Sequence, residues 1–286
     1  MRLDDSALRS LVALLDDEDP RSLALVRRRL LDAGAAALPF LDEAGGGEDP
    51  ALAERAGAMA EELRFLDLKR EFLALSASRA PDLEEGAYLL SRFARPRLAP
   101  APYRLWLDRV AEAVADDLPE DATVGESVRR LSSHLFQSLG FCGNESNYYD
   151  PDNSCLTRVI DTRRGIPVTL SVLYLLVSKR LKLPVYGVGA PGHFLLGYRD
   201  EGEPLFLDAF RRGRLMDARE VRRMLVRNGY EHRAEYLRPA SSRGVLVRMM
   251  RNLLSIYQKT GAAARAERLS QLVEIAVTGR EPGEEA

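Results

Sequence analysis

His193 and Asp208 are the two side chains of this 286-residue sequence whose types and spacing most directly suggest chemistry. His193 follows the turn-forming run Gly189-Ala190-Pro191-Gly192 and heads the apolar stretch Phe194-Leu195-Leu196. Asp208 closes the next apolar stretch, Leu205-Phe206-Leu207, fifteen residues later. An imidazole at the head of one strand and a carboxylate at the end of its neighbour can act together, the acid orienting the base for nucleophilic acyl transfer. Imidazole exchanges protons near neutrality, and the Pro-Gly turn fixes where the ring points. A carboxylate behind three apolar residues needs a partner, which His193 or one of Arg211, Arg212 and Arg214 can supply. His134 and His232 lack comparable neighbours and read as ordinary helix or loop residues.

Acyl transfer also requires a nucleophile, and the start of the helix ahead of these strands is one place to look for it. That helix, expected over 167–181, opens as Gly165-Ile166-Pro167-Val168-Thr169-Leu170-Ser171, with no cysteine. Thr169 and Ser171 offer hydroxyls but not thiolate chemistry, and Thr169 is more simply read as a polar first-turn residue. Cys155 falls in the first turn of a short helix expected over 154–160, capped by Asp152 or Asn153, where the helix dipole lowers a thiol pKa. Cys155 also shares an apolar stripe with Leu156, Val159 and Ile160, the signature of a packing role. Cys142 lies in a loop. Arg163 and Arg164 place two fixed charges just before the helix, a set that solvates a surface or binds a carboxylate or acidic peptide. Tyr148, Tyr149 and Asn153 precede them in a polar, aromatic loop.

The elements that must position these residues are mostly helical. Over residues 3–64, apolar stripes at helical spacing (Leu8, Leu11, Val12, Leu14, Leu15, then Leu23, Leu25, Val26, Leu30, Leu31) are separated by Asp-Asp-Glu-Asp-Pro at 16–20 and by Gly34. These short helices resemble hairpins of the HEAT kind. Helical pattern continues over 68–140, with Trp106, Val110 and Val114 on one face and Val128, Leu131 and Leu135 on another. Strands are expected near 185–188, 193–198 and 205–208, then a helix over 217–227. A closing pair over 241–259 and 262–277 resembles a tetratricopeptide unit, and the tail from 280 is expected to be disordered.

Composition narrows the function classes. Hydrophobic content of 46% with 29% charged residues is that of a globular protein with a real core, and a net charge of −2 gives no reason to expect nucleic acid or a membrane as partner. No apolar run reaches membrane-spanning length, and the N-terminus lacks the apolar segment of a signal peptide. Two cysteines are too few for a disulfide scaffold or a zinc site, so a reduced, cytoplasmic setting with no metal and no cofactor is expected.

Four motifs in order, Tyr148-Tyr149-Asp150-Pro151-Asp152-Asn153-Ser154, Arg163 to Ser171, Pro191-Gly192-His193-Phe194 and Leu207-Asp208-Ala209-Phe210, resemble the SirB-type domain of the transglutaminase-like superfamily. The resemblance covers roughly 68–280. It implies an α+β, mostly helical fold: a transglutaminase-like (papain-like) core with a small antiparallel sheet, flanked by helical hairpins. The implied domains are a HEAT-like region over 1–66, the SirB-type domain over 67–238 and a tetratricopeptide-like pair with tail over 239–286. It aligns His193 and Asp208 with the superfamily's catalytic pair and places the family's cysteine near 166–169, where Ile, Pro, Val and Thr stand. Two readings follow from that mismatch. The chain is a catalytically degenerate domain that binds a peptide or protein through Tyr148, Tyr149, Asn153, Arg163 and Arg164. Alternatively, it is an active hydrolase or acyltransferase using His193, Asp208 and either Cys155 or the Thr169 hydroxyl.

Overall fold

The computed structural model describes residues 3–200, 202–231 and 233–281. His232 and all but the first two residues of the tail lie outside them. The chain divides into two compact units, one up to Glu71 and one from Phe72 onward.

In the first unit, α1 (Asp5–Ala13) is capped by Asp4, whose carboxylate accepts from Ala7 N at 2.8 Å. α2 (Pro20–Ala33) has Pro20 at its first position and Asp19 as its cap, the pairing that leaves fewest orphan amides. α3 (Leu38–Gly45) and α4 (Pro50–Ser76) as far as Glu71 complete the unit. Leu8, Val12, Val26, Leu30, Leu41, Met59 and Leu63 form its own apolar core. Leu14 and Leu25, expected on the inward stripes, are 48% and 58% exposed. Leu14 opens a 3-10 turn, where the helical period is broken. The expected boundary at 66/67 falls inside α4, which is continuous.

The second unit is a mostly helical α+β fold. α5 (Leu83–Ala94), α6 (Ala101–Ala115) and α7 (Val124–Ser132) precede a two-residue parallel pair, β1 (Cys142–Gly143) with β2 (Arg164–Gly165). Between the two strands lies α8 (Leu156–Thr162), and directly after them comes α9 (Pro167–Arg180). Nearly every residue of α9 from Pro167 to Ser178 is buried, as befits a helix that is apolar all round. The sheet has the order β3 (Tyr186–Val188), β4 (Leu195–Tyr198), β5 (Leu205–Asp208), β6 (Arg214–Met216), all antiparallel. β6 was not expected from sequence; its three residues, Arg-Leu-Met, are too short to show a period. Val188, Leu195, Phe206 and Met216 share one sheet face and pack on Val221 and Leu225 of α10 (Ala218–Arg227).

α11 (Ser242–Lys259) and α12 (Ala263–Thr278) close the unit. α11 buries Val245, Leu246, Met249, Met250 and Leu253 and contacts α5 and α9. One guanidinium ties three segments together: Arg243 donates to Ala276 O at 2.6 Å, Ser76 O at 2.8 Å and Ser78 O at 2.7 Å.

Candidate functional site

Residue parity builds the site. Asp208 ends β5 on the same sheet face as Phe206, and the Leu196↔Leu207 register sets it level with the chain entering β4. His193 lies two residues before β4, after a turn in which Gly192 adopts φ +69 against the Tyr230 ring, room that no other residue type has without strain. His193 Nε2 thereby meets Asp208 Oδ2 at 2.9 Å. Asp208 is fully buried, and its Oδ1 accepts from the backbone amides of Phe210 (3.1 Å) and Arg211 (3.2 Å). Three donors therefore hold the carboxylate, which in turn fixes the imidazole. The Arg211 Nε stands at 3.8 Å from Oδ2, beyond hydrogen-bond reach.

Phe210, the last residue of the Leu207-to-Phe210 motif but not among the expected site residues, joins the halves of the site. Its ring lies edge-on to His193 at 6.4 Å and to Tyr148 at 5.9 Å. Its carbonyl accepts from Gly143 N at 3.0 Å. A Cβ on Gly143 would stand 2.5 Å from the ring, so only glycine admits this approach. Tyr148 meets Tyr149 edge-on at 5.4 Å, and Lys259 Nζ sits 4.4 Å from the Tyr149 centroid. Both tyrosines are exposed, so His193, Phe210, Tyr148 and Tyr149 form an accessible aromatic row. Burial of its inner part pushes the Tyr148 phenol up. The signal that could have found Phe210 is its place two residues after Asp208, within the hairpin that must return to β6.

The remaining sequence-derived residues are spread out. Asn153 is buried as the knot of its loop: Asn144 Nδ2 donates to it at 3.0 Å, and it donates to Asn147 O at 2.6 Å and Tyr148 O at 3.2 Å. It presents the tyrosines rather than a ligand surface of its own. Arg163 adopts φ 62 at the end of α8 and turns inward. Its guanidinium stacks on Phe141 at 4.7 Å and Trp106 at 5.1 Å and donates to Ile160 O, and burial pushes its pKa down. That charge is used in packing. Arg164 stays exposed and donates to the Cys142 sulfur.

No candidate nucleophile is exposed. Thr169 is fully buried, and neither its hydroxyl nor that of Ser171 finds a partner among the described residues. Cys155 is the residue before α8 rather than within its first turn, and the preceding 3-10 turn is capped by Asp150, not by Asp152 or Asn153. Cys155 is also fully buried, and burial pushes its thiol up to about 12, overriding the dipole effect expected from sequence. Cys142 is 4% exposed. His134 is half-buried in the turn after α7. Among the described residues there is no group of three or more His, Cys, Asp or Glu able to hold a metal, and no helix is long and apolar enough to cross a membrane.

A buried helix followed by an antiparallel sheet, with a histidine ahead of one strand hydrogen-bonded to an aspartate ending the next, defines an α+β domain built around a His–Asp pair. The chain belongs to the transglutaminase-like superfamily, whose profile matches residues 101–251. It is 36% identical over 197 residues to a UPF0162 protein of Xylella fastidiosa, covering 65% of this chain and 70% of that one. It is 28% identical over 208 residues to UPF0162 protein PA3419 of Pseudomonas aeruginosa, covering 73% and 77%. F-box only protein 21 of Mus musculus is 32% identical over 135 residues, 44% of this chain and 21% of that protein. No solved structure matches the chain.

Proposed function

We propose that this chain is a catalytically degenerate transglutaminase-like protein, of the SirB type, that binds a peptide or protein in the cytoplasm. The observation that supports it is the start of α9: Ile166, Pro167, Val168 and Thr169 are all buried, and both cysteines are free and buried. A His–Asp pair without an accessible nucleophile orients a base that has no thiol to activate. What is accessible is the row of Tyr148, Tyr149, Phe210 and His193, and aromatic side chains of this kind anchor partners at protein interfaces. In this reading HEAT-like helices within 1–66 and a tetratricopeptide-like pair within 239–286 add further helical surface to the SirB-type region of 67–238. The region related to mouse F-box only protein 21 is about a fifth of that protein, in keeping with a portable binding unit.

The intact 2.9 Å His193–Asp208 bond favours one alternative, an active hydrolase or acyltransferase. Two assays on the full chain separate the readings. The wild type should release no ammonia from glutaminyl peptides and transfer no acyl group to an amine, while a peptide array captures ligands that Tyr148→Ala with Tyr149→Ala loses. Turnover abolished by His193→Ala, and also by Cys142→Ala, Cys155→Ala or Thr169→Val, would establish the enzyme instead.

A further inference from the structure

The cavity beside His193 carries more positive charge than its own residues neutralise. Its walls hold Arg211, Arg214, Arg223 and Arg227 against one carboxylate, Glu220, around a volume of about 320 Å3, at the lower end of ligand-pocket sizes. Glu220 is already engaged. Its Oε2 accepts from Asp217 N at 3.1 Å, the reciprocal bond of a capping box, and its Oε1 from Arg214 at 3.3 Å. Asp208 is committed to His193 and two backbone amides, and its Oδ2 lies 3.8 Å from Arg211 Nε, which leaves Arg223 and Arg227 as the guanidiniums without a carboxylate of their own among the described residues. Arg223 and Arg227 stand one turn apart on the face of α10 opposite buried Val221 and Leu225. Both are exposed, with no ion pair among the described residues. Like charges at that spacing repel, and a clefted cluster of one sign focuses its field on an incoming anion. Guanidinium forks match carboxylates in shape as well as charge.

We infer that this cavity receives an acidic segment of a protein partner, with closely spaced carboxylates entering among Arg211, Arg223 and Arg227 beside His193. The aromatic row continues from the same histidine through Phe210 to Tyr148 and Tyr149, so neighbouring residues of an extended segment can lie against it. The inference rests on the binding reading above and names its ligand. A nucleic acid is disfavoured because the chain carries a net charge of −2 and a cavity of about 320 Å3 is small for a polyanionic backbone.

The test is fluorescence anisotropy of the full chain with fluorescein-labelled hexaglutamate, hexaglutamine serving as the uncharged control. Hexaglutamate should bind at low ionic strength and weaken with salt. Arg223→Gln with Arg227→Gln should weaken it about tenfold or more, the scale of one lost charge-assisted bond or greater. Arg28→Gln with Arg29→Gln removes the same net charge from exposed positions of α2 that do not line the cavity, and should change binding less than about twofold, as exposed charges outside a site are largely screened. Equal losses in the two double variants would overturn the site. So would hexaglutamate binding no better than hexaglutamine, or single-stranded RNA binding more tightly with the same arginine dependence. Array capture that survives in the Arg223/Arg227 variant would remove the acidic-ligand assignment and leave the binding reading standing, whereas a wild type that captures nothing ends both.

Discussion

Replacing Asp208 by alanine should be among the most destabilising changes in the second unit. The carboxylate is fully buried, and its loss strands the amides of Phe210 and Arg211 and the His193 Nε2, bonded at 3.1, 3.2 and 2.9 Å. Each charge-assisted bond is worth roughly 1.5–3 kcal/mol, but the exposed hairpin amides regain water and the desolvation cost of the carboxylate disappears. Breaking a buried charged pair costs about 3–5 kcal/mol, and the lower figure suits this partly recoverable site. At about 2–4 °C per kcal/mol for a unit of this size, Asp208→Ala should lower Tm by about 6–12 °C, read by circular dichroism. Asp208→Asn keeps an oxygen for the two amides and should cost less than half as much. His193→Ala removes one bond and should fall between wild type and Asp208→Ala. An alanine variant within about 1 kcal/mol of wild type, or asparagine as costly as alanine, would show that the three bonds do not hold the hairpin.

Gly143→Ala places a Cβ 2.5 Å from the Phe210 ring and should destabilise by about 1–3 kcal/mol, with Phe210→Leu restoring part of the loss in urea titrations. Arg163→Met removes the stack on Phe141 and Trp106 and should cost about 1–2 kcal/mol, measured the same way, whereas the exposed Arg164→Met should leave thermal stability nearly unchanged. Burial raises the Cys155 thiol from an ordinary 9.0 to about 12, so its protonated form contributes stability that is complete below pH 9 and lost as pH rises towards 12. Cys155→Ala should therefore show a shallower fall in urea midpoint above about pH 9 than wild type, and an identical slope would refute the burial argument.

The pair at the centre of the site was legible because its determinants are local: a Pro-Gly turn aims His193, and an apolar triplet buries the backbone ahead of Asp208. The mostly helical content followed from helical stripes with few strands between them, and the transglutaminase-like α+β core from the resemblance of the four motifs. What escaped depends on contacts distant in sequence. Arg163 resembles a surface charge until Trp106 and Phe141 are brought under it. Cys155 sits where the helix dipole should lower its pKa, but complete burial acts more strongly. The arginines of α10 were visible as part of an amphipathic helix; which cavity its polar face lines is decided by the docking of Val221 and Leu225 on the sheet. The β1 and β2 strands are two residues each, too short for any period, and exist because Cys142 and Gly143 meet Arg164 and Gly165.

The Arg243 clamp has a consequence for how the chain comes into being. Its acceptors are the carbonyls of Ser76 and Ser78, at the beginning of the second unit, and of Ala276, near its end. Synthesis runs from the first to the last, so the guanidinium must wait for α12 before its set of acceptors is complete. Until then α11 lacks α12, the helix packed along it, and a nascent or truncated chain presents the apolar surface that this pairing covers to chaperones and proteases. A closure spanning this much sequence favours slow final assembly. The Arg243 clamp is thus complete only once α12 has joined the rest of the unit.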